Sequence, residues 1–165
     1  MQTPYRKPGE FTNITPDPYL TQGKFDELTQ KLKKLKAALP NAILELQRLA
    51  EMGDFSENTA YQMAKGRVRS IKDKIFAIEE HLKQSIIIKP GNNSQQVQLG
   101  SKVTVKMSGQ EKTYQILGSS EVDLARGIIS HNSPIGAALM DRKVGEKFKV
   151  ELGARQVDCQ IISIN

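Results

Sequence analysis

Asp54 and Glu57 stand three residues apart in the stretch "EMGDFSENTAYQMAK", within a chain of 165 residues and net charge +6. Two chemistries suit that spacing. In the first, Gly53 closes one helix in the left-handed conformation, Asp54 caps the next, and Glu57 completes a D-x-x-E capping box. In the second, the same spacing turns both carboxylates one way at an exposed helix start. Hard divalent cations such as Mg²⁺ take oxygen ligands and keep several waters, so two carboxylates make a partial site that a second molecule must complete. Phe55, between the acids, adds an apolar side chain where contact with another molecule would use one. The residues alone leave both readings open.

The flanking segments say where these acids are held. From about Lys24 to Met52, apolar residues recur at Leu28, Leu32, Leu35, Leu39, Ile43, Leu46 and Ala50, mainly in steps of four and three, the seam of a coiled coil. Tyr61, Ala64, Val68, Ile71, Ile75, Ile78 and Leu82 repeat the pattern. Two seams of matched length with a short connection close most simply as an antiparallel hairpin. Its arms would reach roughly 40 Å at about 1.5 Å per residue. Pro40 falls inside the first arm, where a bend or local break is expected.

Helical periodicity stops at "IIIKPGNNSQQ", a turn-rich linker. Beyond it "VQLGSKVTVKM", "EKTYQIL", "EKFKVEL" and "ARQVDCQIISI" alternate with the period of strands. "SPIGAALM" is a short helix, with Ser133 as N-cap and Pro134 at its first position. The expected class is α+β: an antiparallel coiled-coil hairpin followed by a small, mainly antiparallel β domain. The expected boundaries are an extended arm over 1–20, the hairpin over 21–88, a linker over 89–96 and the β domain over 97–165.

Composition narrows the function classes. No apolar run approaches the roughly 20 residues a membrane span needs, and the proline-rich start lacks the apolar core of a secretion signal. Cys159 is the only cysteine, which excludes a disulfide framework and a cysteine-based zinc site. A reduced cytoplasm fits. The basic balance favours an anionic partner, such as nucleic acid or a machine that handles it.

The tip "GDFSENTAY", preceded by a helix containing "LPNAI", resembles that of the bacterial Gre transcript-cleavage factors. "TYQILGSSEVDLARGIISHNSPIGAALMDRKVGEKFKVEL" is similar to the family's C-terminal domain, with its SPIG-A-L segment and following K-x-G. The resemblance runs from about Thr21 to Ile164. It implies an FKBP-like β domain without an evident prolyl-isomerase role, and a monomer that acts on the bacterial RNA polymerase elongation complex. The β domain would dock at the rim of the secondary channel, through a segment matching Asn132, Ser133, Pro134 and Ile135. The hairpin would carry Asp54 and Glu57 to the active site, with Phe55, Ser56, Asn58 and Tyr61 as tip neighbours. There the two acids would help hold a Mg²⁺ shared with the polymerase, none being bound by the factor alone. A water would then cut the backtracked nascent RNA near its 3′ end. On this reading the chain is not itself an enzyme, and it belongs to the nucleic-acid-binding transcription proteins, DNA-binding included. Many family members have an acid just before the tip tyrosine, where this chain has Ala60. That departure keeps a second reading in play, a non-cleaving Gre-like modulator of the polymerase.

Lys65, Arg67 and Arg69 follow the tip, where they could meet RNA phosphates or simply face solvent. Lys31, Lys33, Lys34 and Lys36 read as a solvated face. His81 and His131 lack metal-spaced partners and read as ordinary polar residues, and Cys159 as a small core residue.

Overall fold

Thirty residues, Gln22–Glu51, form helix α1, and Thr59–Gln84 form α2. The computed structural model describes residues 16–52, 59–89 and 95–165. Every seam residue is buried or half-buried, whereas most residues between them are exposed. The arms are antiparallel, because Lys36 pairs with Glu79 at 2.5 Å and Glu45 with Arg67 at 3.5 Å. Ala42, Ala64, Val68 and Ile78 lie deepest in the seam. Full burial of a Val or Ile side chain stabilises by about 1.5–3 kcal/mol, and this joint stripe is what lets two long thin helices persist. Helix α1 runs through Pro40 without interruption, and Pro40 itself is exposed. The local break does not occur.

The base of the hairpin is closed by two short strands that no period-two pattern announces. Tyr19–Leu20 (β1) pairs in parallel with Ile86–Ile87 (β2), and Leu20 is fully buried. Thr21 caps α1, its hydroxyl accepting from Lys24 N–H at 3.2 Å.

The β domain is one five-stranded sheet in the order β5-β4-β3-β7-β6. Its strands are Lys102–Met107 (β3), Gln110–Leu117 (β4), Ile128–Ser130 (β5), Lys147–Leu152 (β6) and Arg155–Ile164 (β7). The four long strands pair antiparallel, and the short β5 joins β4 in parallel. Ser108 and Gly109 turn β3 into β4 with φ of 49° and 85°, the left-handed pair a two-residue hairpin loop requires. Alternate residues of β3 and β6 face a core made of Val103, Val105, Met107, Phe148 and Val150, with Ile116, Ile129, Cys159 and Ile161 from the neighbouring strands. Helix α3, Pro134–Leu139, closes that core with the fully buried Leu139. Its N-cap is Ser133, whose hydroxyl accepts from Gly136 N–H at 3.0 Å, as expected from the sequence.

Candidate functional site

Helix α1 ends at Glu51 and α2 begins at Thr59, at the end of the hairpin opposite to β1 and β2. Asp54, Phe55, Ser56, Glu57 and Asn58, together with Gly53, lie outside the described residues. Ala60 and Tyr61 begin α2, Ala60 exposed and Tyr61 half-buried on the seam. As a donor set, two carboxylates supply part of the oxygen shell of a Mg²⁺ ion and no more. Among the described residues no cluster of His, Cys, Asp and Glu could hold a metal.

The three cations after the tip are exposed but differ in their partners. Arg67 reaches across to Glu45 at 3.5 Å, and Arg69 lies 3.8 Å from Asp73 one turn along. Such exposed pairs contribute about 0–1 kcal/mol and would yield to a phosphate. Lys65 has no ion pair among the described residues.

At the other end of the molecule, the segment 132–135 is only partly free to meet a partner. Asn132 and Pro134 are exposed. Ser133 spends its hydroxyl on the α3 cap and on the Ser130 carbonyl, to which it donates at 2.7 Å. Ile135 is half-buried and packs against the β-domain core. Gly136 lets this segment fold tightly, because a Cβ there would lie 2.0 Å from the Ser130 carbonyl oxygen.

Beside that segment is a polar junction that sequence reasoning missed. Asp17, whose side chain is only 5% exposed, accepts from Ser119 N–H at 2.7 Å and from the Ser119 hydroxyl at 2.8 Å. Its other oxygen accepts from Tyr19 N–H at 3.1 Å. His131 Nδ1 faces the same carboxylate at 3.5 Å, and the Tyr19 ring stands edge-on to the His131 ring. The Ser119 and Ser130 hydroxyls share a hydrogen bond of 2.8 Å, and the Ser130 hydroxyl accepts from Asn132 N–H at 3.0 Å. The backbone carbonyl of Asp17 meets His81 Nε2 at 3.0 Å, on α2. One carboxylate thereby ties the start of the hairpin to the 119–132 side of the β domain. Burial alone would raise the Asp17 pKa. The hydrogen bonds from Ser119 and Tyr19, with the field of His131, outweigh burial and hold it below its ordinary value. Nothing in the period-two or period-3.6 pattern marks Asp17. The only local signal was Asp before Pro ahead of a capped helix.

A second tie runs beside the first. Thr21 N–H and hydroxyl donate to the two oxygens of Glu121 at 2.7 and 2.5 Å. Glu121 thus satisfies an orphan donor and offsets the positive end of the α1 dipole at once.

An open cleft of about 490 Å³ lies on the β domain, lined in part by Phe148, Cys159 and Lys147, and none of the expected site residues reaches it. Cys159 is buried there, and burial, with Asp158 nearby, raises its thiol pKa. This is the core position expected for it.

Known proteins share both halves of this arrangement. The pattern described as "Transcription elongation factor, N-terminal" matches residues 18–87, and "Transcription elongation factor, GreA/GreB, C-term" matches residues 92–165. The transcription elongation factor GreA of Staphylococcus saprophyticus is 34% identical over 149 residues, covering 88% of this chain and 94% of that protein. GreA of Macrococcus caseolyticus is 35% identical over 150 residues, covering 88% and 95%. Among solved structures, GreA factor homolog 1 (Gfh1) of Thermus thermophilus aligns with 88% of this chain and 97% of its own, at 25% identity and a TM-score of 0.40. That last likeness is too loose to transfer any detail. The two family patterns meet in order along one chain, and this protein belongs to the GreA/GreB family of transcription elongation factors.

Proposed function

We propose that the protein enters the secondary channel of bacterial RNA polymerase and stimulates cleavage of backtracked nascent RNA. The observation that carries this reading is the hairpin. Two antiparallel helices, the longer about 45 Å at 1.5 Å per residue, end at Glu51 and begin again at Thr59, and the sequence between them carries Asp54 and Glu57. A rod with its acids at the end suits chemistry performed inside another molecule, and poorly suits a site completed by the chain itself.

Asn132 and Pro134 supply exposed surface for docking on the β domain. Asp54 and Glu57 would hold a shared Mg²⁺ and orient the attacking water, and Lys65 would meet an RNA phosphate. Bound between the acids and the polymerase, Mg²⁺ supplies the charge that stabilises the attacking and leaving oxygens. The factor then lends ligands without being an enzyme, and acts in the cytoplasm as a monomer. Family membership and the pairing of tip and β domain support this reading. RNA cleavage in halted, backtracked elongation complexes, with and without the protein, tests it. Release of short 3′ fragments at the unassisted rate would reject it.

Ala60 favours a second reading, a modulator that enters the channel without promoting cleavage. It is exposed in the first turn of α2, where a further acid would add to the charge that attracts a metal. Slowed elongation without cleavage products would select this reading.

A further inference from the structure

Asp17 lies in the segment before the hairpin, a stretch with no assigned part in either half of the molecule. Yet its buried carboxylate is the most heavily bonded side chain at the junction. It receives the Ser119 N–H, the Ser119 hydroxyl and the Tyr19 N–H, and faces His131. Ser119 and His131 belong to the β domain, whereas Tyr19 enters β1 and its partner β2 follows directly from α2. The backbone at the same residue bonds His81 on α2. Both arms of the hairpin therefore reach the β domain through one residue.

Geometry magnifies what happens there. A rod about 45 Å long that pivots at its base by a few degrees moves its tip by several ångströms. Misplacement of a catalytic group by about 1 Å can cost on the order of a hundredfold in rate. A carboxylate with two hydrogen bonds across the junction, both from Ser119, and a third from Tyr19 N–H that holds it in place, resists such pivoting better than apolar contact, because the bonds are directional and the unpaired groups would be left poorly solvated.

We propose that Asp17 is a positioning residue: it fixes the direction of the hairpin relative to the β domain, and so places the tip acids for cleavage. The proposal rests on the reading of the chain as a transcript-cleavage factor. The Thr21–Glu121 pair assists from the N-cap of α1, whereas Asp17 also meets His81 of α2 through its backbone carbonyl.

The experiment has two arms. Spin labels on Gln47→Cys in α1 and Lys112→Cys in β4, both exposed, report the hairpin direction as a distance distribution, the buried Cys159 being shielded from label. One narrow distribution is expected for the otherwise native chain, and one at least about twice as wide for Asp17→Ala. Ser119→Ala, which keeps the backbone donor, should broaden it less, and this milder change covers the case in which Asp17→Ala folds poorly. In halted elongation complexes Asp17→Ala should keep its polymerase affinity while its cleavage rate at saturation falls about tenfold.

An unchanged distance distribution overturns the proposal. A broadened distribution with full cleavage rate shows that the junction is structural only, which also overturns it. Affinity that falls in step with rate places Asp17 in the docking surface instead, and the positioning role is again lost. If the native chain itself stimulates no cleavage, the functional reading has failed and the tip has nothing to be placed for. The distance arm then still decides, by itself, whether Asp17 fixes the hairpin.

Discussion

Gly118 lies against Tyr19 so closely that a Cβ on the glycine would stand 1.9 Å from the Tyr19 carbonyl oxygen. The two residues are 99 positions apart, and their contact is where the hairpin base meets the β domain. Because the obstacle is backbone on a paired strand, it cannot swing aside. Gly118→Ala must open the junction or shift β1, at a cost of about 1–3 kcal/mol. Thermal unfolding of the variant is the measurement, and a loss well under about 1 kcal/mol would show that the junction slides freely.

The Asp17 carboxylate predicts an acid-side loss of stability. Its folded pKa is held below the ordinary 3.8, so the unfolded chain takes up the proton more readily than the folded one. The contribution is therefore present above pH 3.8 and disappears as pH falls through the folded value. The native curve is compared with that of Asp17→Asn. Between about pH 5 and pH 2.5 the native protein should lose more of its Tm than the variant does. Parallel curves would remove Asp17 from the stability of the junction.

Ile135 and Asn132 should separate folding from docking. Ile135 packs on the core, so Ile135→Asp buries an unpaired charge and should cost about 2–4 kcal/mol. Asn132 is exposed. Changing it to Asp or Arg should leave unfolding within about 0.5 kcal/mol while weakening polymerase binding severalfold. Undiminished binding by the Asn132 variants and by Pro134→Ala would move the docking surface elsewhere.

At the tip, capping and metal binding make opposite claims about the same atoms. Asn caps a helix about as well as Asp, and Gln can replace Glu in the capping box. Asp54→Asn with Glu57→Gln should therefore change thermal unfolding by under about 1 kcal/mol. The same pair of changes removes two charges and the good Mg²⁺ ligands. Cleavage should fall at least about tenfold, roughly 1.4 kcal/mol of transition-state stabilisation. Added Mg²⁺ should restore part of it. Normal cleavage by this variant would leave the acids as caps alone.

The hairpin was legible in the sequence because its stabilising contacts repeat. Leu28 through Ala50 and Tyr61 through Leu82 each face one neighbour, so the spacing of apolar residues states the packing. The long strands were legible for the same reason at period two, and Ser133 announced α3 because a cap acts within three residues. The tip acids were singled out by local spacing and by resemblance, and they lie outside the described residues. What escaped was short or distant. Strands β1, β2 and β5 hold two or three residues, too few for a period to show. Asp17 with Ser119, Thr21 with Glu121 and Tyr19 with Gly118 each join residues about 100 positions apart, and neither partner carries a mark of the other. Such pairs exist only once the hairpin base and the β domain are folded against each other. Until then Asp17 is one solvated carboxylate among many. Burial and the donors that surround it are supplied by the tertiary structure, and they make it the residue on which the direction of the hairpin depends.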